Sequence, residues 1–293
     1  MDSLDCALAL AGGNYHFHGL SGTRETALRR RYGRHLAHSP QPDDLSVEMC
    51  EFTHPIPIDP QVFLVDGQYT PIIERTPKQL TITGLDFQAT IKWGTPAQAI
   101  LGISHEEHQP RLGAIENFLR VASAYRVLSK GGLLLHSAGL VVDEQAYLFV
   151  GRSGAGKTTL TRKAHQAGAG ILSDDINIVL PAEGEGFQAY PVPFAGDFGQ
   201  TPDLLSPGGY PLATLCFLEQ GGTATLEPLS KAAAAARLVS AGPFVNTDPY
   251  QAPDLLEVAT NLVRWVPVRK LISRREDDFD LIHALLREIT DDR

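Results

Sequence analysis

The sequence predicts an α/β domain built on a mixed sheet and preceded by a smaller, β-rich α+β domain. Three observations carry that prediction. The first is Gly151-Arg152-Ser153-Gly154-Ala155-Gly156-Lys157-Thr158, a full match to the phosphate-binding pattern GxxxxGK[ST]; it follows the apolar run 146–150 and precedes a segment, 159–166, able to start a helix. The second is the pair of β-rich runs at 133–142 and 146–150, joined by Asp143-Glu144-Gln145 as a hairpin would be. Antiparallel pairing directly ahead of such a loop is unusual for a doubly wound parallel sheet and points to a mixed one. The third is strand-like patterning between Leu45 and Trp93.

In chain order, residues 6–20 read as a short strand with a turn at Gly12-Gly13, and residues 23–32 as a helix ended near Gly33. Residues 39–44 are polar and contain proline, hence loop. Residues 45–52 alternate, and 79–84 and 87–93 flank a Gly84-Leu85-Asp86 connection as a hairpin would. A polar break at 104–110 sets the expected boundary between an N-terminal α+β recognition domain (1–108) and the larger domain (109–293). After the break, Ile115, Leu119, Ala122 and Tyr125 keep helical spacing up to the Lys130-Gly131-Gly132 stop. Residues 171–180 read as one short apolar strand carrying Asp174 and Asp175, on opposite faces or at a frayed end.

Composition narrows the function classes. With 293 residues, 43% of them hydrophobic, the chain can bury a sizeable core. A net charge of −9 argues against a general nucleic-acid binder. The five arginines within 24–34 wrap around a helix instead of forming one stripe, so they read as a solvated helix. Cys6, Cys50 and Cys216 are odd in number and lack metal-ligand spacing, which argues against a disulfide framework or a zinc site and fits a reducing cytoplasm. No apolar run reaches the roughly 18 residues of a membrane helix, and no basic leader opens the chain, so no membrane association is expected.

The loop and the acids carry the chemistry. Gly151, Gly154 and Gly156 let the backbone approach an anion, and helix amides following the loop face it. Lys157 supplies a point charge and Thr158 a hydroxyl for Mg²⁺, with Thr159 beside it. Asp174 and Asp175 follow at a spacing that returns the chain to the sheet beside the loop, where one carboxylate can hold Mg²⁺ and another accept a proton. His136, in the strand preceding the loop, reads by itself as a core histidine.

Taken together, His136-Ser137-Ala138-Gly139, the hairpin, 151–158 and Ser173-Asp174-Asp175 resemble the catalytic domain of HPr kinase/phosphorylase and related kinases of the phosphoenolpyruvate-carboxykinase-like fold. The resemblance covers residues 130–180 and, more loosely, a late strand at Val266-Pro267-Val268. It implies an Mg-ATP-dependent serine kinase in which residues 151–159 hold the nucleotide, Lys157 holds the β- and γ-phosphates, and Thr158 and Asp174 lie on the metal. Asp175 would be the base and His136 would lie near the transferred phosphate. Divergent relatives occur in peptide-modification cassettes, including lasso-peptide precursor kinases and the SynChlorMet cassette protein ScmC, and the layout of the N-terminal domain resembles theirs. The implied acceptor is a peptide or small protein, such as a modified-peptide precursor. Oligomers are common in the HPr family, which leaves a homo-oligomer open.

Two departures stand out. The family's metal-binding glutamate segment is replaced by 190–199, where Asp197 is the only acid, and its Pro-Gly-Arg-Asn stretch by Arg269-Lys270-Leu271-Ile272-Ser273. The resemblance therefore gives no ground for phosphorylase activity or for HPr as acceptor. The pairs His16/His18 and His105/His108 lack a persuasive third ligand and read as surface histidines. Arg269, Arg274 and Arg275 read as solvated charge, with contact to an anionic substrate as the sharper alternative. A small-molecule hydroxyl kinase and a non-catalytic, nucleotide-dependent regulatory or peptide-binding module are the other open readings.

Overall fold

Apolar residues at alternate positions build the first sheet. The computed structural model describes residues 4–37, 41, 43–52, 59–65, 68–104, 111–194, 196, 205 and 208–291, and contacts divide the chain into two compact units, Met1–Ser123 and Ala124–Arg293. The boundary expected at 108/109 lies outside the described residues.

In the first unit, β1 (Leu4–Leu10) and β2 (Gly13–Leu20) form a hairpin around Gly12 and Gly13, whose φ values of 94° and 136° are open to glycine. Helix α1 (Gly22–Tyr32) starts where the Ser21 hydroxyl accepts from the Arg24 amide. Then follow β3 (Leu45–Phe52), the short pair β4 (Leu64–Val65) and β5 (Gln68–Tyr69), β6 (Ile72–Thr76), β7 (Gln79–Thr83), β8 (Phe87–Lys92) and β9 (Ala97–Ser104). The seven-stranded sheet runs β1-β2-β3-β9-β8-β7-β6, with parallel contacts at β2/β3 and β3/β9. Its core includes Tyr15, Phe17, Leu28, Tyr32 and Phe87. The arginines of α1 are less solvated than expected. Arg24 is buried and pairs with Glu51 at 2.9 Å, and Arg31 pairs with Glu116 at 2.9 Å, because the inner side of the helix packs on the sheet.

Helix α2 (Leu112–Ser129) crosses the division between the units and ends before Gly131, at φ 74°. The second unit contains β10 (Leu133–Val142), β11 (Gln145–Val150), α3 (Lys157–Gln166), β12 (Gly170–Ser173), β13 (Ile176–Pro181), β14 (Phe187–Tyr190) and β15 (Tyr210–Gln220). It finishes with β16 (Thr225–Pro228), α4 (Lys231–Ala241), α5 (Ala252–Trp265), β17 (Val268–Ser273) and α6 (Phe279–Asp291). The β10–β11 hairpin turns on Asp143 and Glu144, at φ 50° and 60°, so Gln145 already belongs to the strand.

The pairing in this unit is mixed. Strands β11, β10, β13, β14 and β15 pair in succession, and a parallel β11/β15 contact closes the ring. Parallel β17 and antiparallel β16 extend it beyond β15. A core cluster that includes Phe149, Leu160, Ile171, Cys216, Leu271 and Ile282 joins α3 and α6 to the strands. Burial holds the Cys216 thiol protonated, with its pKa pushed up to about 12.

Candidate functional site

The site begins with β11, buried from Ala146 to Val150, which delivers the chain to the loop at 151–156. A side chain on Gly151 would meet the Ala155 Cβ at 2.8 Å, so the loop can close only on glycine there. Gly154 and Gly156 take φ values of 79° and 105°. Gly156 is the N-cap of α3 and offers no side-chain acceptor, leaving the positive end of the helix open to an anion. Gln220, at the end of β15, donates from Nε2 to the Gly154 carbonyl at 2.7 Å and pins the loop tip. Arg152 and Ser153 are exposed, while Ala155, Thr158 and Thr159 are half-buried.

Lys157 is only 8% exposed. Its ammonium donates to the carbonyls of Gly151 at 2.7 Å and Arg152 at 3.3 Å. Burial pushes its pKa down, and the nearby Asp175 and Asp174 charges push partly back.

The single strand expected over 171–180 is two strands separated by a bend. Asp174 and Asp175 form the bend between β12 and β13, both of which pair with the same edge of β10. The Ser173 hydroxyl accepts from the amides of Asp175 at 3.2 Å and Ile176 at 3.3 Å, taking up donors that the ladder cannot use. The Ser137 amide donates to the Asp175 carbonyl at 3.0 Å. Asn177, fully buried, donates from Nδ2 to the Ser137 carbonyl at 2.6 Å and hydroxyl at 3.0 Å. It fits because Gly139 has no side chain, as a Cβ there would stand 2.2 Å from Asn177 Oδ1.

Register then brings the loop and the acids level. Val150 pairs with Ser137 on one edge of β10, and Asp175 bonds Ser137 on the other. Two strand spacings, about 10 Å, therefore separate the backbone at the start of the loop from the acidic bend. Asp174 is buried, and Asp175 is partly exposed with Oδ1 3.6 Å from Nε2 of the half-exposed His136. A Cβ on Gly196 would stand 2.1 Å from Asp174 Oδ1, so the backbone at Gly196 rests directly on the acid pair. Asp197 itself lies outside the described residues.

A protein-family model described as SynChlorMet cassette protein ScmC matches residues 111–271, more than half of the chain. The chain belongs to the ScmC family. A search of curated proteins finds no match. The ScmC match runs from α2 into β17 and so takes in the loop, the acidic bend and His136.

The weaker sequence candidates stand elsewhere. His16 pairs with Asp44 at 2.8 Å and His18 with Asp5 at 3.1 Å, whereas His105 and His108 lie outside the described residues. Arg274 is committed to Asp277 through Nε at 3.2 Å and Nη2 at 3.0 Å. Among the described residues no group of three or more His, Cys, Asp or Glu side chains converges as a metal cage, and no helix is long and apolar enough to cross a membrane. Sequence reasoning missed Asn177 and Gln220. A polar residue inside the otherwise apolar run of β13 was the available signal for Asn177; Gln220 gave none.

Proposed function

We propose that this member of the ScmC family is an Mg-ATP-dependent kinase that transfers a γ-phosphate to a hydroxyl, a serine of a peptide or small protein. The observation that carries the reading is the register across β10, which sets a phosphate-binding loop and an acid pair at the same level on its two edges. The resemblance of these elements to HPr kinase/phosphorylase supports phosphoryl transfer, and the family's description as a cassette protein supports a peptide-related acceptor.

The donor set suits the cofactor. Mg²⁺ typically takes one or two protein oxygens and fills its shell with water and phosphate, so the Thr158 hydroxyl and the Asp174 carboxylate suffice without a three-residue cage. The bound ion would supply charge neutralisation on the phosphates.

The remaining roles fall to the chain's own residues. Amides of the loop and of the first turn of α3 hold the phosphates. Lys157 exchanges its carbonyl partners for phosphate oxygens. Asp175, the more exposed of the two acids, accepts the proton of the acceptor hydroxyl as that oxygen bonds to the γ-phosphorus; the bond to the β-bridging oxygen breaks, and ADP leaves. His136 stands beside Asp175, with Nε2 3.6 Å from its Oδ1.

The test is transfer of γ-labelled phosphate from Mg-ATP into a host-cell extract, separated into protein, peptide and small-molecule fractions. Asp175→Asn should retain ATP affinity and lose transfer by a factor on the order of 10²–10⁴. Undiminished transfer by that variant would remove Asp175 as base, and label in the small-molecule fraction would replace the peptide acceptor.

A further inference from the structure

The second unit has a cavity of about 320 Å³ apart from the phosphate loop. It lies where α4 begins, α5 ends and β17 begins, and three cations line it: Lys231, Arg264 and Arg269. The parallel register puts Ser273, at the far end of β17, level with Gln220, the residue that pins the loop. The cavity's lining ends at Arg269, one residue into the strand, so the two sites are separated along β17 by roughly 13–16 Å.

Its chemistry is one-sided. No acidic residue is among the lining residues, and among the described residues none of the three cations forms an ion pair. Other basic residues near this part of the sheet do find carboxylates: Lys270 pairs with Glu227, and Arg237 pairs with Glu219 at 3.2 Å. In a chain of net charge −9, three unpaired cations around one cavity form a local field of opposite sign to the whole. The rest of the wall is apolar, including Leu229 and Val266, and Trp265 stands at the edge with 40% of its surface exposed.

We infer that this cavity binds an acidic peptide segment that carries an apolar side chain next to its carboxylates. The cations come from three different elements, and Lys231 and Arg264 are exposed at the rim. That spread suits an extended chain with several separated charges better than a single compact anion, which calls for donors converging on one point. Trp265 and the apolar wall take the neighbouring side chain. The inference concerns binding alone and stands or falls independently of phosphoryl transfer.

The experiment uses the full chain with Trp93→Phe, so that Trp265 is the sole tryptophan reporter, and titrates a labelled twelve-residue peptide of alternating Glu and Leu without nucleotide. Binding should perturb Trp265 fluorescence, weaken with salt, and fall at least tenfold in Lys231→Gln/Arg264→Gln/Arg269→Gln. Arg264→Glu, a change at an exposed position, should give a similar loss if the triple variant does not fold. Lys157→Ala should bind the peptide as the parent does.

Equal binding of the Gln-for-Glu peptide, equal binding by Arg264→Glu, or no binding at millimolar peptide would overturn the site. Inorganic phosphate or citrate competing as strongly as the peptide would make it a small-anion pocket instead and overturn the assignment to a peptide.

Discussion

Arg24 in the first unit and Lys157 in the second are buried to nearly the same degree, 5% and 8% exposed, yet they are satisfied in opposite ways. Arg24 meets a carboxylate, Glu51, at 2.9 Å. Lys157 meets two backbone carbonyls of its own loop, and the carboxylates act on it only through their field. A buried cation on a carboxylate is locked, because separating the pair strands a charge. One held by neutral carbonyls can exchange them for a stronger anionic partner, because hydrogen bonds between charged groups are the stronger kind. Burial alone therefore does not tell a locked charge from an exchangeable one, whereas the kind of partner does.

The largest expected effect comes from breaking the second case. Lys157→Ala should weaken Mg-ATP binding by about 10- to 100-fold, the scale of losing a hydrogen bond between charged groups, while the melting temperature without nucleotide stays within a few degrees of the parent. Calorimetric titration and thermal melts separate the two quantities. Unchanged nucleotide affinity would mean that the carbonyl contacts are the lysine's final partners and that the contrast with Arg24 is false.

Arg24→Ala should do the reverse. It removes a structural partner far from the loop in sequence and should cost about 2 kcal/mol, less than a fully buried pair because Glu51 is partly exposed and can take up water. Nucleotide affinity should not change. Denaturant unfolding of both variants gives the comparison, and a nucleotide defect in Arg24→Ala would show that the two cations are not separable in role.

The same contrast explains how much was legible in the sequence. The glycine-bearing turn from β11 into α3 was, because glycine, lysine and threonine at fixed spacing after an apolar run are all local requirements. So were α1, β3, α2 and the β7–β8 and β10–β11 hairpins, where caps, alternation and turn residues agree. The acidic bend was legible only as a pair of carboxylates near the loop. That it interrupts a strand depends on Ser173 bonding two amides and on Ser137 bonding the Asp175 carbonyl from across β10, contacts set by register and not by neighbouring residues. Arg24 was misjudged for a related reason. A helical wheel shows that arginines surround α1, but the buried side of the helix depends on the sheet beneath it, and the ion pair comes from β3.

The smallest effect tests the state of Lys157 directly. Its pKa in the folded chain lies below the ordinary lysine value of 10.5, with burial as the main cause. Between the lowered value and 10.5 the unfolded chain binds more protons at this position than the folded one, so the stability contributed here rises with pH across that window. Below the window both states are protonated, and the folded state carries the full cost of burying the charge. Unfolding free energies of the parent and Lys157→Met, compared at rising pH toward 10.5, should therefore shift in favour of the parent, because methionine fills similar space without a proton to lose. A flat difference for Lys157→Met would mean that the ammonium is solvated in the absence of nucleotide, and the carbonyl contacts would then have to be read as one conformation among several instead of the resting state of the loop.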